Sequence, residues 1–152
     1  MQRSRLRRAL SRRARVDLTV VAGVGDDCTV CMSETELAQV LTNLMTNAVH
    51  AIEDAHRSGQ VRVTVEKGAA QTVRISVHDD GVGIEPSHLV DSFDAFETTR
   101  ASRGGTGLGL AIARSLVEGI GGRIDVFTTP GVGTDMTIEL PEAAAVVDDA
   151  AV

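Results

Sequence analysis

The chain has 152 residues, 43% of them apolar and 24% charged, a length that buries roughly 68–70% of the unfolded surface and supports one domain with its own core. Its net charge of −6 conceals an asymmetry: seven arginines and no acid fall in residues 1–15, while residues 16–152 hold 8 basic and 21 acidic side chains, a net −13, which argues against a nucleic-acid-binding body. No apolar run approaches the ~18 residues of a membrane span and arginines stand where a signal peptide needs an apolar stretch, so the sequence predicts a soluble, cytoplasmic domain without membrane contact.

Residues 3–14 read as the end of a helix, with Leu6 and Leu10 one turn apart among arginines, and residues 1–15 as the end of a connecting helix and linker. Val16 to Val21 and Cys28 to Met32 read as two short strands around a Gly23–Asp27 turn. In such a strand Cys28 and Cys31 point to opposite faces about 10 Å apart, too far for a disulfide, so both are expected as small buried apolar residues. Ser33 followed by Glu36 forms a capping box. From there Leu37, Val40, Leu41, Leu44, Ala48, Ile52 and Ala55 keep helical period to about His56. Val61 to Glu66 and Val73 to His78 alternate as a hairpin around Gly68–Gln71. Residues 84–104 lack period and predict a mobile loop with a helical turn near Pro86–Val90. A second helix spans Gly107 to Glu118, ended by glycines, and two strands, Arg123 to Thr128 and Thr134 to Leu140, flank the Pro130–Gly133 turn. Residues 142–152 read as a disordered tail. The expected class is α+β: a two-layer α/β sandwich, a mixed sheet with about three helices on one face.

Four clusters carry the chemistry: Asn43 to Ala48, Asp79 to Gly83, Gly105 to Leu110, and Gly131 to Thr134. Asn43, Asn47 and His50 share one stripe of the long helix. Asn is poor in mid-helix, by up to about 0.7 kcal/mol against Ala, and its amide oxygen is a hard neutral ligand suited to Mg²⁺; the alternative is an exposed polar edge. Asp79 ends an apolar strand and can accept a hydrogen bond from an exocyclic amine, with Gly81 and Gly83 letting backbone approach a flat ring; alternatively it closes an ordinary turn. Gly105, Thr106, Gly107, Leu108 and Gly109 open a helix whose free N–H groups favour phosphate, or else form a hinge. Arg100 and Arg103 could add charge to phosphates or stay solvated. Phe93 and Phe96 anchor their polar loop. The only lysine is Lys67, after Glu66, so no P-loop can be written and a nucleotide pocket must be built another way.

Over Val16 to Pro141 the chain resembles the catalytic ATP-binding domain of bacterial sensor histidine kinases, with the Bergerat fold also found in gyrase B, MutL and the Hsp ninety chaperones. Glu36 to Ile52 resembles the N box, Asp79 to Ile84 the first glycine box, Ser92 to Arg100 the F box, Gly105 to Ala111 the second glycine box, and Gly131 to Pro141 the closing strand pair. The resemblance implies a catalytic ATP-binding domain over residues 16–141, with ATP and Mg²⁺ as cofactors and residues 90–106 as the ATP lid. It implies that Asn47 and Asn43 hold the metal, that Asn43, Asn47 and His50 serve catalysis, and that Asp79 reads adenine. The nucleotide site would comprise Asn47, His50, Asp79, Gly81, Gly83, Ile84, Phe96, Arg100, Arg103, Gly105, Thr106, Gly107, Leu108, Gly109, Leu110 and Thr134.

Two departures shape the expected activity. Hydrolytic members and anti-sigma serine kinases of the superfamily carry Glu where this chain has Asn43, and an amide cannot act as a general base. The receiving histidine of the family, on a helical hairpin, is not matched by His50, His56, His78 or His88. The implied function is transfer of the γ-phosphate to a histidine on a dimerisation and phosphoacceptor domain elsewhere, with a response regulator downstream. The alternatives are a slow ATPase or nucleotide-gated switch, an anti-sigma-factor-like serine kinase, and an interaction module that keeps the fold without using ATP.

Overall fold

The computed structural model describes residues 4–8 (as backbone), 15–25, 28–86 and 109–143. Six strands form one sheet: β1 (Ser4–Arg8), β2 (Val16–Ala22), β3 (Gly59–Lys67), β4 (Thr72–Asp79), β5 (Arg123–Thr129) and β6 (Gly133–Pro141), in the spatial order β1-β2-β3-β4-β6-β5. Only β2 and β3 are parallel, as the crossover through α1 (Glu34–Asp54) requires; the other neighbours are antiparallel. The sheet is therefore mixed, as expected. Among the described residues two helices, α1 and α2 (Gly109–Gly119), pack on it; the third, expected near Pro86–Val90, falls beyond Pro86 outside the described residues.

The capping box forms as the sequence predicts: the Ser33 hydroxyl accepts the Glu36 N–H at 3.2 Å, and the Glu36 carboxylate accepts the Ser33 N–H at 3.1 Å. From that start Val40, Leu44, Ala48 and Ile52, four apart, form the buried stripe of α1. Alternation supplies the opposing layer. Val73, Ile75 and Val77 of β4 and Met136, Ile138 and Leu140 of β6 all turn inward. The same alternation carries Asp79 and Thr134 inward at the ends of those rows, where they are 4% and 3% exposed and face each other in register. The opposite face of the sheet is polar, with Ser76 bonded to Thr137 at 3.0 Å and His78 to Asp135 at 2.8 Å.

Four local expectations are corrected. Ser4–Arg8 is not a helix end but an edge strand antiparallel to β2; a helix with a thin leucine stripe among arginines has little to pack against, whereas the free edge of β2 offers a row of unpaired backbone groups. Residues 9–14 lie outside the described residues. Cys28 to Met32 is not a strand either. Its only ladder contact is an isolated bridge between Val30 and Glu142, because the chain turns at once into the Ser33 cap. Both cysteines are free; Cys28 is half-buried against the core but Cys31 is exposed, so the expected burial fails for Cys31. The fold also runs past Pro141, since Glu142 N–H donates to Gln71 at 2.9 Å and Ala143 N–H to Thr29 at 2.9 Å; residues 144–152 of the expected tail are not described.

Candidate functional site

A cleft of about 210 Å³ opens between α1 and the ends of the central strands. Leu44, Asn47, Ala48, Ala51 and Asp54 line it from α1, Val77 and Asp79 from β4, Val82 to Glu85 from the following loop, Leu110 from α2, and Thr134 and Met136 from β6. The cleft thus collects Asn47, Asp79, Gly83, Ile84, Leu110 and Thr134 from segments far apart in sequence. Phe96, Arg100, Arg103, Gly105, Thr106, Gly107 and Leu108 lie outside the described residues, as does the whole of the expected lid, residues 90–106.

Asp79 dominates the electrostatics. Burial pushes its carboxyl up to about 6, opposed by the hydrogen bond it accepts from Gly81 N–H at 2.9 Å and by neighbouring His78. Behind it, Asp80 accepts the Gln60 N–H at 2.8 Å and Arg57 reaches the Asp80 carbonyl, so the turn is held from the sheet side. On the other side Val82 N–H donates to the Ala51 carbonyl at 3.1 Å, and Gly131 N–H donates to the Val82 carbonyl at 2.7 Å.

The glycines serve this packing as well as any approach to a ring. A Cβ on Gly81 would lie 2.4–2.7 Å from the Ala51 backbone and Cβ, and one on Gly133, at φ +152, would lie 2.1 Å from the Asp79 carbonyl. Gly81→Ala is expected to push the turn off α1 and cost on the order of 1–3 kcal/mol. A urea melt checks this, and an unchanged midpoint would show that the turn does not rest on Ala51.

Asn43 and His50 do not line the cleft, although they share the Asn47 stripe. Asn43 Nδ2 donates to the Gly109 carbonyl at 3.0 Å, joining mid-α1 to the first turn of α2. The helical spacing that suggested one ligand row for all three residues spreads them over two turns, and of the three only Asn47 lines the cleft. Gly109, expected among nucleotide-binding residues, has its carbonyl engaged by Asn43. Among the described residues no group of His, Cys, Asp and Glu is arranged to hold a metal.

Sequence reasoning also missed residues that the structure puts to use. Thr128 of β5 accepts the Ile84 N–H at 2.8 Å, reaches the Gly133 carbonyl at 3.2 Å and lies 2.9 Å from the Thr134 hydroxyl. Ala51, a small residue one turn beyond Asn47 on α1, meets the turn directly, its carbonyl accepting the Val82 N–H at 3.1 Å; its size was the available signal.

Residues 32–144 match the family described as histidine kinase-, DNA gyrase B-, and HSP90-like ATPase. The chain is 42% identical over 121 residues to the sensor histidine kinase AruS of Pseudomonas aeruginosa, a match covering 74% of this chain and 12% of AruS. It is 43% identical over 108 residues to the sensor histidine kinase ZraS of Salmonella typhimurium, covering 71% of this chain and 22% of ZraS. Among solved structures, full-length ShkA in complex with AMPPNP superposes with a TM-score of 0.70 at 32% identity, covering 86% of this chain and 26% of ShkA. The nucleotide-free catalytic domain of the histidine kinase ThkA gives 0.68 at 31% identity, covering 84% of this chain and 79% of that domain. With a cleft assembled from its family-like clusters and a match over most of its length, the chain belongs to the histidine kinase-, DNA gyrase B-, and HSP90-like ATPase family.

Proposed function

We propose that this chain is the catalytic module of a sensor histidine kinase, binding Mg-ATP in the cleft and presenting the γ-phosphate to a histidine on a phosphoacceptor domain. The observation that carries the reading is the buried Asp79–Thr134 pair, set at the ends of two apolar rows and facing the same cleft as Asn47. A buried carboxylate that meets an exocyclic amine gains a charge-assisted hydrogen bond; one that meets a carbonyl leaves two acceptors unpaired, at about 1–3 kcal/mol.

The base therefore belongs between Asp79 and the Val82–Ile84 loop, and the phosphates toward Asn47 and the start of α2, where N–H groups and the helix dipole favour negative charge. Asn47 fits Mg²⁺: a neutral amide oxygen suits a cation that keeps several waters and takes further ligands from phosphates. When bound, the ion would neutralise phosphate charge. Asn43, engaged with Gly109, is assigned to holding α2 in place. The cleft does contain other carboxylates, Asp54 and Glu85, but Asp54 lies eleven residues beyond Asn43 on α1, about 16 Å along the axis. It sits at the base end, away from any attacking water.

The chain alone is accordingly expected to bind ATP and hydrolyse it far more slowly than about one turnover per second. With γ-labelled ATP and an added dimerisation and phosphoacceptor domain from a similar sensor kinase, an acid-labile, alkali-stable phosphate is expected on that domain. Fast hydrolysis by the chain alone, with no transfer, would support the ATPase reading instead. A response regulator would receive the phosphate downstream.

A further inference from the structure

Thr128 lies outside every cluster that marks the site, yet its hydroxyl joins three parts of it: the Ile84 N–H of the loop after Asp79, the Gly133 carbonyl and the Thr134 hydroxyl. A hydroxyl has one hydrogen and two lone pairs, so the three contacts can be counted. Ile84 N–H is a donor and takes one lone pair. The hydrogen can go to the Gly133 carbonyl at 3.2 Å or to Thr134 at 2.9 Å, but all three contacts are made together only when it goes to Gly133. Thr134 must then donate its own hydrogen to Thr128, which leaves Thr134 with lone pairs alone to offer the cleft it lines.

We infer that Thr128 is a positioning residue for base selection, holding Thr134 as an acceptor beside Asp79. This rests on the nucleotide reading of the cleft and adds how its specificity is set. Thr134 and Asp79 are cross-strand partners, with Cβ atoms about 4.5–5.5 Å apart in such pairs. An unheld Thr134 hydrogen would turn either to Asp79, using up acceptor capacity meant for the base, or to the cleft, where it would welcome a carbonyl. Both reduce preference for an exocyclic amine. With Thr128 in place, the base end presents acceptors from both strands to the substituent at C6, so the two hydrogens of an amine can meet both, whereas a carbonyl there finds no donor and the N1–H that accompanies it can meet only one of them.

The test compares ATP with inosine triphosphate, whose base carries a carbonyl in place of the amine, by titration calorimetry on the parent chain, Thr128→Val and Thr128→Ser. Valine keeps the β-branched shape and removes the hydroxyl; serine restores it. The ATP preference is expected to fall about tenfold in Thr128→Val, or about 1.4 kcal/mol, and to return to within about twofold of the parent in Thr128→Ser. A general loss of packing would weaken both nucleotides alike. A folded Thr128→Val chain with an unchanged preference overturns the inference. If that variant does not fold, hydrogen exchange at Ile84 in the parent decides: protection is expected, and exchange at the rate of an unbonded amide overturns it. If the parent chain binds both nucleotides equally, the reading of adenine by Asp79 falls and the role of Thr128 with it; if it binds neither, the nucleotide reading itself falls.

Discussion

Asp79→Asn is expected to make the free protein more stable at neutral pH while removing most of its ATP affinity. The amide oxygen can still accept the Gly81 N–H, so the turn keeps its shape, but the amide nitrogen meets the base amine as donor against donor. The affinity loss should be about 2–3 kcal/mol, the scale of a hydrogen bond to a charged group. Stability moves the other way. Burial raises the Asp79 carboxyl from 3.8 to about 6, so the folded protein holds this proton more tightly than the unfolded chain. The resulting stability is complete below the unfolded value, declines as pH rises through the folded one, and above it the ionised group is a net cost on the order of 1–3 kcal/mol. Urea melts of parent and variant should converge in acid, separate as pH rises from 3.8 to about 6, and stay separated by a constant amount above that. A variant equally destabilised across the range would mean that the carboxylate supports the fold rather than the ligand. ATP affinity of the parent should weaken below about 6 as Asp79 protonates, and this dependence should vanish in the variant.

Asn47→Ala is expected to abolish the part of ATP affinity that depends on Mg²⁺. The parent should bind ATP about tenfold more tightly with the metal than without it, or about 1.4 kcal/mol, whereas the variant should bind alike in both conditions. Asn47 is half-buried on the cleft wall, and alanine keeps the helix at that position, so metal-free affinity and melting should change little. If the variant keeps its Mg²⁺ dependence, the ion is held elsewhere and Asn47 lines the wall only.

Much of this arrangement was legible in the sequence because it is set by short-range periodicity. Ser33 and Glu36 cap α1 as their spacing requires, and the alternation of Val73, Ile75 and Val77 leads directly to an inward Asp79. What escaped is decided by partners far away in the chain. Ser4–Arg8 becomes a strand because β2 has a free edge, a fact no window of residues contains. Asn43 and Asn47 share a stripe, only about 40° apart on a helical projection, yet one donates to Gly109 and the other lines the cleft. Thr128 carries no local signal at all; its importance arises from the register that sets β5 beside β6 and the loop after Asp79 over both. The glycines were legible as special positions but not as packing positions, since the Ala51 backbone that Gly81 meets lies thirty residues earlier.

The most direct test of the central claim, that this cleft is an adenine-nucleotide site read by Asp79, is titration of the chain with ATP and GTP in the presence of Mg²⁺, followed by competition with adenosine. The account predicts saturable ATP binding, GTP binding weaker by at least about tenfold, and weak but measurable displacement by adenosine. Equal affinity for ATP and GTP, or no binding of either, would contradict it.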